Sequence, residues 1–128
     1  MADRILTWYV DQPEAGSVSQ GQIFCLDQDY QLPAVVRFYA KSAPDAADLV
    51  LDIKDDGVSI FTNKPTLQKG QSGQDWWEDF NPNLHNMEKY SWISLEFSQT
   101  GGAKGITVQL ELLAEYPEDA GEEDEEDV

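Results

Sequence analysis

Apolar residues recur at every second position over most of this chain, and that period decides what it can fold into. Successive side chains of an extended strand point to opposite faces, whereas a helix repeats a face about every 3.6 residues. In the first run Leu6, Trp8 and Val10 alternate with Ile5, Thr7 and Tyr9, and Gln20 to Leu26 gives a second run. From Gln31 to Lys41 the inward set is Leu32, Ala34, Val36, Phe38 and Ala40, with Pro33, Val35, Arg37, Tyr39 and Lys41 outward. Pro33 has no N–H to donate, so it must sit near the start of that strand or on an edge. Leu49, Leu51 and Ile53 alternate with Val50, Asp52 and Lys54. Ile93, Leu95 and Phe97 alternate with Trp92, Ser94 and Glu96, and Ile106, Val108, Leu110 and Leu112 with Thr107, Gln109 and Glu111.

The connections carry turn chemistry. "DDG" offers Gly57 for positive φ before Val58 and Ile60 return as a partner strand. "SQTGGAKG" is expected to be a glycine-rich hairpin between the last two strands. No segment sustains a helical period, and "PDAADL" has room for one helical turn at most. With the aromatic run around Asp75 to Phe80, the chain is predicted to be all-β: an antiparallel two-sheet β-sandwich, jelly-roll-like, of about eight strands.

With 128 residues, of which 41% are hydrophobic, the chain can fill one core, so a single domain over residues 1–116 is expected. Pro117 closes the final apolar run, and the acidic stretch that follows has almost nothing to bury, so 117–128 reads as a solvated acidic C-terminal tail. The net charge of -17, with eight scattered basic residues, argues against binding nucleic acid, because phosphate contacts need clustered Lys and Arg. The lone Cys25 excludes an intrachain disulfide, and its apolar neighbours predict a buried, inert thiol. The N-terminus lacks a basic segment and a long apolar stretch, and no run of about 18 apolar residues occurs. Synthesis in the cytoplasm and no membrane insertion are expected.

The chemistry-bearing residues are few. His85 has no second histidine and no nearby cysteine, so it reads as a loop residue in preference to a zinc ligand. Asp27 with Asp29, and Asp55 with Asp56, could offer oxygens to calcium but lack EF-hand spacing and fall where turns are expected. No nucleophile–base pattern, phosphate loop or HExxH motif is present, so no enzyme activity, metal or cofactor is expected. The stretch "SGQDWWEDFNPNLH" sets two tryptophans among carboxylates. Strand alternation puts Trp76 with Glu78 and Phe80 on one face, expected to be the core side, and Trp77 with Asp75 and Asp79 on the other, expected to be exposed. Exposed aromatics anchor interfaces, and aromatics beside acids also suit sugar stacking. Trp77, Asp75 and Asp79 are therefore interface or ligand candidates, joined by Trp92 and Tyr39 at outward strand positions.

The succession "LVLDIKDDGVSIF", "NKPTLQKGQS" and "SWISLEFSQTGGAKGITVQLEL" resembles a small β-sandwich module that recurs in virion proteins of tailed bacteriophages. Asp52 and Gly57, Ser59 to Phe61, Lys64 to Thr66, Gly101 to Gly105 and Val108 to Leu110 carry the likeness, over roughly residues 31 to 114. The resemblance implies a non-enzymatic structural component of a virion: a capsid-decoration, head-fibre or tail-accessory subunit. Its partners would be other virion proteins and copies of itself, a trimer being favoured. The alternative is a carbohydrate-binding module that uses surface tryptophans to recognise a host-surface glycan.

Overall fold

The computed structural model describes residues 3–16, 18–31, 35–77, 80 and 86–114, and for Gln74 to Trp77 the backbone alone. Every regular element among them is a strand: β1 (Arg4–Val10), β2 (Phe24–Cys25), β3 (Tyr30–Gln31), β4 (Val35–Ser42), β5 (Leu49–Asp55), β6 (Val58–Ser59), β7 (Thr66–Leu67), β8 (Gly73–Trp77), β9 (Asn86–Met87), β10 (Trp92–Gln99) and β11 (Lys104–Leu112). The chain is all-β with antiparallel pairing. Eleven strands replace the expected eight or so because several are two-residue pairings, such as β3, β6 and β9, too short to show a period of their own.

One sheet runs β1-β11-β4-β8; a second runs β2-β10-β5-β6, with β7 also paired to β5; β3 and β9 form a small third sheet. The alternation holds where strands are long. Leu6, Trp8 and Val10 of β1 are buried, as are Val36, Phe38 and Ala40 of β4, while Ile5, Tyr9, Arg37 and Tyr39 are exposed. Leu49, Leu51 and Ile53 of β5, Ile93, Leu95 and Phe97 of β10, and Ile106, Val108, Leu110 and Leu112 of β11 are fully buried. Both larger sheets thus feed one hydrophobic core. Trp8 is its bulkiest member: the ring meets Phe24 edge-on at 5.1 Å, and Nε1 donates to the Gln22 carbonyl at 2.8 Å, so its one polar atom is satisfied inside.

Two turns show how local chemistry positions the strands. Asp55 pairs with Val58, leaving Asp56 and Gly57 as a two-residue loop with φ of 50° and 86°. Positive φ at both centres is the twist-matched hairpin geometry that Asp-Gly favours. The glycine-rich segment before β11 is a different object from the expected hairpin. β10 and β11 lie in different sheets, so Thr100 to Ala103 arches between them. Gly101 takes φ 59°, and its carbonyl accepts the amides of Asp45 and Ala46, both at 3.0 Å. A Cβ there would collide with the Ala47 carbonyl. The β4–β5 connection also crosses between sheets, and the two arches are clamped back to back.

Two burial expectations are corrected. Cys25 is exposed, because β2 turns it to the outer side, opposite Trp92. Asp52 has outward parity yet is only 2% exposed, since Ser59 and Lys64 close over it: Ser59 Oγ donates to Oδ1 at 2.6 Å, and the Lys64 ammonium lies 3.9 Å from Oδ2. Burial pushes its pKa up, against the opposing pull of Ser59, Lys64 and Lys54. Lys54 is held in turn by Glu96 at 3.1 Å.

Candidate functional site

Among the described residues, the turn before β10 carries one of two non-glycine positions with positive φ, and the only one with a bulky side chain. The Ser91 amide donates to the Glu88 carbonyl at 3.1 Å, closing a β-turn whose third residue is Tyr90, with φ 73°. Turns with positive φ at that place normally use glycine or asparagine. A bulky residue in the left-handed region is an outlier that costs about 1–2 kcal/mol. Four contacts hold it. The Tyr90 amide donates to the Leu26 carbonyl at 2.9 Å and the Leu26 amide to the Ser91 carbonyl at 3.0 Å; Leu26 itself is fully buried. The Lys89 amide donates to Asp29 Oδ1 at 2.7 Å, and the Cys25 thiol approaches the Tyr90 carbonyl at 3.7 Å.

The side chain carried by this strained backbone is not used for packing. Tyr90 is 67% exposed and Trp92 57%, the two most exposed large apolar side chains among the described residues. Trp92 stands on a rigid base, since its amide donates to Asp56 Oδ1 and its carbonyl accepts the Asp56 amide, each at 2.9 Å. The hairpin tip is thereby locked to the first residue of β10. Exposed Cys25 lies opposite Trp92, exposed Ile23 is just before β2, and exposed Val58 is just beyond the hairpin. Sidedness follows from β10: Ile93 fills the core, so Trp92 must face outward.

Two carboxylates flank this end of β10: Asp56 accepts from the Trp92 amide, and Asp55, opposite core-facing Ile93, lies on the inner side of the sheet, away from the Trp92 ring. Asp55 is pushed above its ordinary pKa first by burial and further by the charges of Asp56 and Glu88, against a hydrogen bond from Ser91 that lowers it. The Lys89 ammonium sits 4.9 Å from the Tyr90 ring centroid, within cation–π range. The result is two exposed aromatic side chains on a turn held by backbone hydrogen bonds, with Asp56 bonded to the Trp92 amide. Such a surface can stack on planar or apolar groups and can attract positive charge.

Among the sequence candidates, Trp92 belongs to this site and Tyr39 does not. Tyr39 lies on the outer face of the other sheet, between Thr107 and Gly73, and is 53% exposed. Its ring covers Gly73, where an added Cβ would come within 3.1 Å, and it borders a shallow depression of about 200 Å³ lined also by Arg37, Phe38, Thr107 and Gln109. Arg37 is paired there with Glu111. Asp75 and Trp77 are on β8, next to Tyr39's strand, but their side chains, that of Trp76 and all of Asp79 and His85 lie outside the described residues. β8 also changes register opposite β4 between Val36 and Phe38, so strict alternation is interrupted within the stretch that was to separate Trp76 from Trp77.

The aspartate pairs act in turns and caps. Asp27 accepts from Tyr30 Oη and Arg4 Nη1, each at 2.6 Å, and its pKa is lowered chiefly by the Tyr30 bond, with Arg4 assisting. Asp29 caps Lys89, and Asp56 clamps Trp92. Among the described residues no three His, Cys, Asp or Glu side chains converge as a metal site. Sequence reasoning missed Tyr90, although its place two residues before Trp92 was a usable signal. No known protein family, characterised protein or solved structure matches the chain.

Proposed function

We propose that this chain is a non-enzymatic assembly subunit that works by protein–protein contact, docking through the Tyr90–Trp92 end. The observation that carries the reading is backbone strain used to display an exposed tyrosine beside an exposed tryptophan. Strained residues persist where the surrounding structure over-determines them, and they concentrate at ligand clamps. Rigid aromatic anchors lose little entropy on binding, which is what hot spots at interfaces require.

In this reading the two larger sheets pack as a jelly-roll-like sandwich, supported by the common core and the two arches between sheets. The sequence resemblance to phage virion modules supports a subunit that sits on a particle, as a capsid-decoration, head-fibre or tail-accessory protein, with a homotrimer as the expected assembly. Mass spectrometry of purified particles should find the chain, and Trp92→Ala should remove it from them while leaving the isolated protein folded. A chain absent from particles, with Trp92-dependent binding on a glycan array, would replace this reading with carbohydrate recognition.

A further inference from the structure

We propose that the open edge of β1 receives an extended strand from a partner protein, which adds to the β1-β11-β4-β8 sheet and carries apolar residues at alternate positions between basic ends. The inference goes beyond the docking reading above and concerns a different element of the fold.

The register shows which backbone groups of β1 are open. Residues along an inner antiparallel strand bond alternately to one neighbour and the other. The Ala40 amide donates to the Ser72 carbonyl at 2.7 Å, on the β8 side, so Arg37 and Tyr39 turn to Gln109 and Thr107 of β11. The intervening Ile106, Val108 and Leu110 then bond Val10, Trp8 and Leu6 of β1. That leaves the N–H and C=O groups of Ile5, Thr7 and Tyr9 on the far side, where β1 has no strand partner. Among the described residues no backbone group bonds them there. Their side chains stand outward, with Ile5 49% and Tyr9 50% exposed.

The other described sheet margins are blunted. An open edge invites pairing with another chain, and proteins ordinarily guard it by shortness, bulges, proline or lysine. β2, β3, β6, β7 and β9 have two residues each. Beyond β2, the margin of β10 is taken by Gly16 and Gln20, whose amides donate to the Phe97 and Leu95 carbonyls. β8, at the opposite end of the first sheet, is shifted in register. By contrast β1 runs seven residues in unbroken register without proline, glycine or lysine, and its one cation, Arg4, is held by Asp27. Strand addition uses such an edge: backbone bonds supply affinity, and alternate side chains supply selectivity.

Charge selects the occupant. A second copy paired about Thr7 would bring the Asp3 end of each β1 to the Asp11 end of the other, carboxylate toward carboxylate. A partner strand with basic ends removes that repulsion, and its apolar residues pack beside Ile5 and Tyr9. Gly21 limits the pairing: a Cβ there would lie 3.8 Å from the Tyr9 carbonyl oxygen, so the incoming chain diverges at Tyr9.

The test titrates the isotope-labelled full chain with a capped peptide, Lys-Val-Thr-Val-Thr-Val-Lys, followed by amide NMR and hydrogen exchange. In the free protein the Ile5 and Thr7 amides should exchange fast and those of Leu6 and Trp8 slowly; the peptide should slow Ile5 and Thr7. N-methylation of its three valines, which face β1 in this register, should weaken binding about tenfold or more, as several backbone bonds are lost, and methylation of its two threonines should weaken it less. Thr7→Pro removes a donor on the open side alone, so it should fold and lose the peptide. Ile5→Lys, at an exposed position, gives the same comparison without a backbone change.

Slow exchange at Ile5 and Thr7 in the free chain would overturn the open edge. Equal binding of the two methylated peptides, or binding unchanged in both Thr7→Pro and Ile5→Lys, would overturn strand addition. So would a monomer that gives no response to the peptide. A dimer in sedimentation that Ile5→Lys dissolves, with no peptide response, would replace the partner strand with a second copy.

Discussion

Replacing Tyr90 separates the cost of its backbone from the use of its side chain. Tyr90→Ala and Tyr90→Gly both remove the ring and the Lys89 contact, so the difference between them isolates the left-handed conformation at φ 73°. Alanine keeps the penalty of about 1–2 kcal/mol for an L-residue in that region. Glycine escapes it but gives up about 0.5–1 kcal/mol because its unfolded chain is freer. The glycine variant should therefore be the more stable by about 0.5–1 kcal/mol, or ~2–4 °C in Tm for a domain near this size. Against the native protein, glycine should be close to neutral, since strain relief offsets the lost cation–π contact of about 0.5–1 kcal/mol and the partial burial of the ring. Urea unfolding with a common slope gives the comparison through the midpoints. Both variants should lose partner binding alike. An alanine variant as stable as the glycine one would refute the strained turn, and with it the premise that stability is given up there for recognition.

Four further outcomes are expected. Trp8→Ala removes a fully buried indole and should cost about 3–5 kcal/mol by denaturant unfolding, because transfer and cavity terms add. Gly101→Ala should cost at least about 2 kcal/mol, since positive φ and a collision with the Ala47 carbonyl act together, and hydrogen exchange should rise first in the arches around Asp45 and Thr100. Asp52 has a folded-state pKa above 3.8, so its contribution is fully present below 3.8 and is lost as pH rises through the raised value; Asp52→Asn, which can still accept from Ser59, should flatten that part of a stability–pH profile. Asp27 has the opposite sign: its pKa is lowered, so its contribution is present above 3.8 and lost as pH falls through the folded value, and Tyr30→Phe should raise the Asp27 pKa in a carboxyl NMR titration.

The inward residues of β1, β4, β10 and β11 were legible because alternation is local: a strand in half-buried surroundings must show the same face at every second residue. The Asp56–Gly57 hairpin was legible for the same reason, since positive φ selects glycine within the turn itself. The candidate site was only partly legible. Trp92 followed from its parity with Ile93, whereas Tyr90 sat in a loop without periodicity, and its exposure depends on contacts with Leu26 and Asp29 far away in sequence.

What the sequence determined by itself was therefore the all-β class, the faces of the long strands and the tight hairpin, all consequences of neighbours within a few residues. Tertiary structure alone decided which strands share a sheet. The segment "SQTGGAKG" would serve a hairpin or an arch equally well, and the choice fell to where β10 and β11 could each bury an apolar face, one beside β5 and the other between β1 and β4. It also decided that Cys25 faces out, that Asp52 is closed over by Ser59 and Lys64, and that Asp56 holds the Trp92 amide. Burial and charge act through space, between residues 7 positions apart for Ser59 and Asp52 and 36 apart for Asp56 and Trp92.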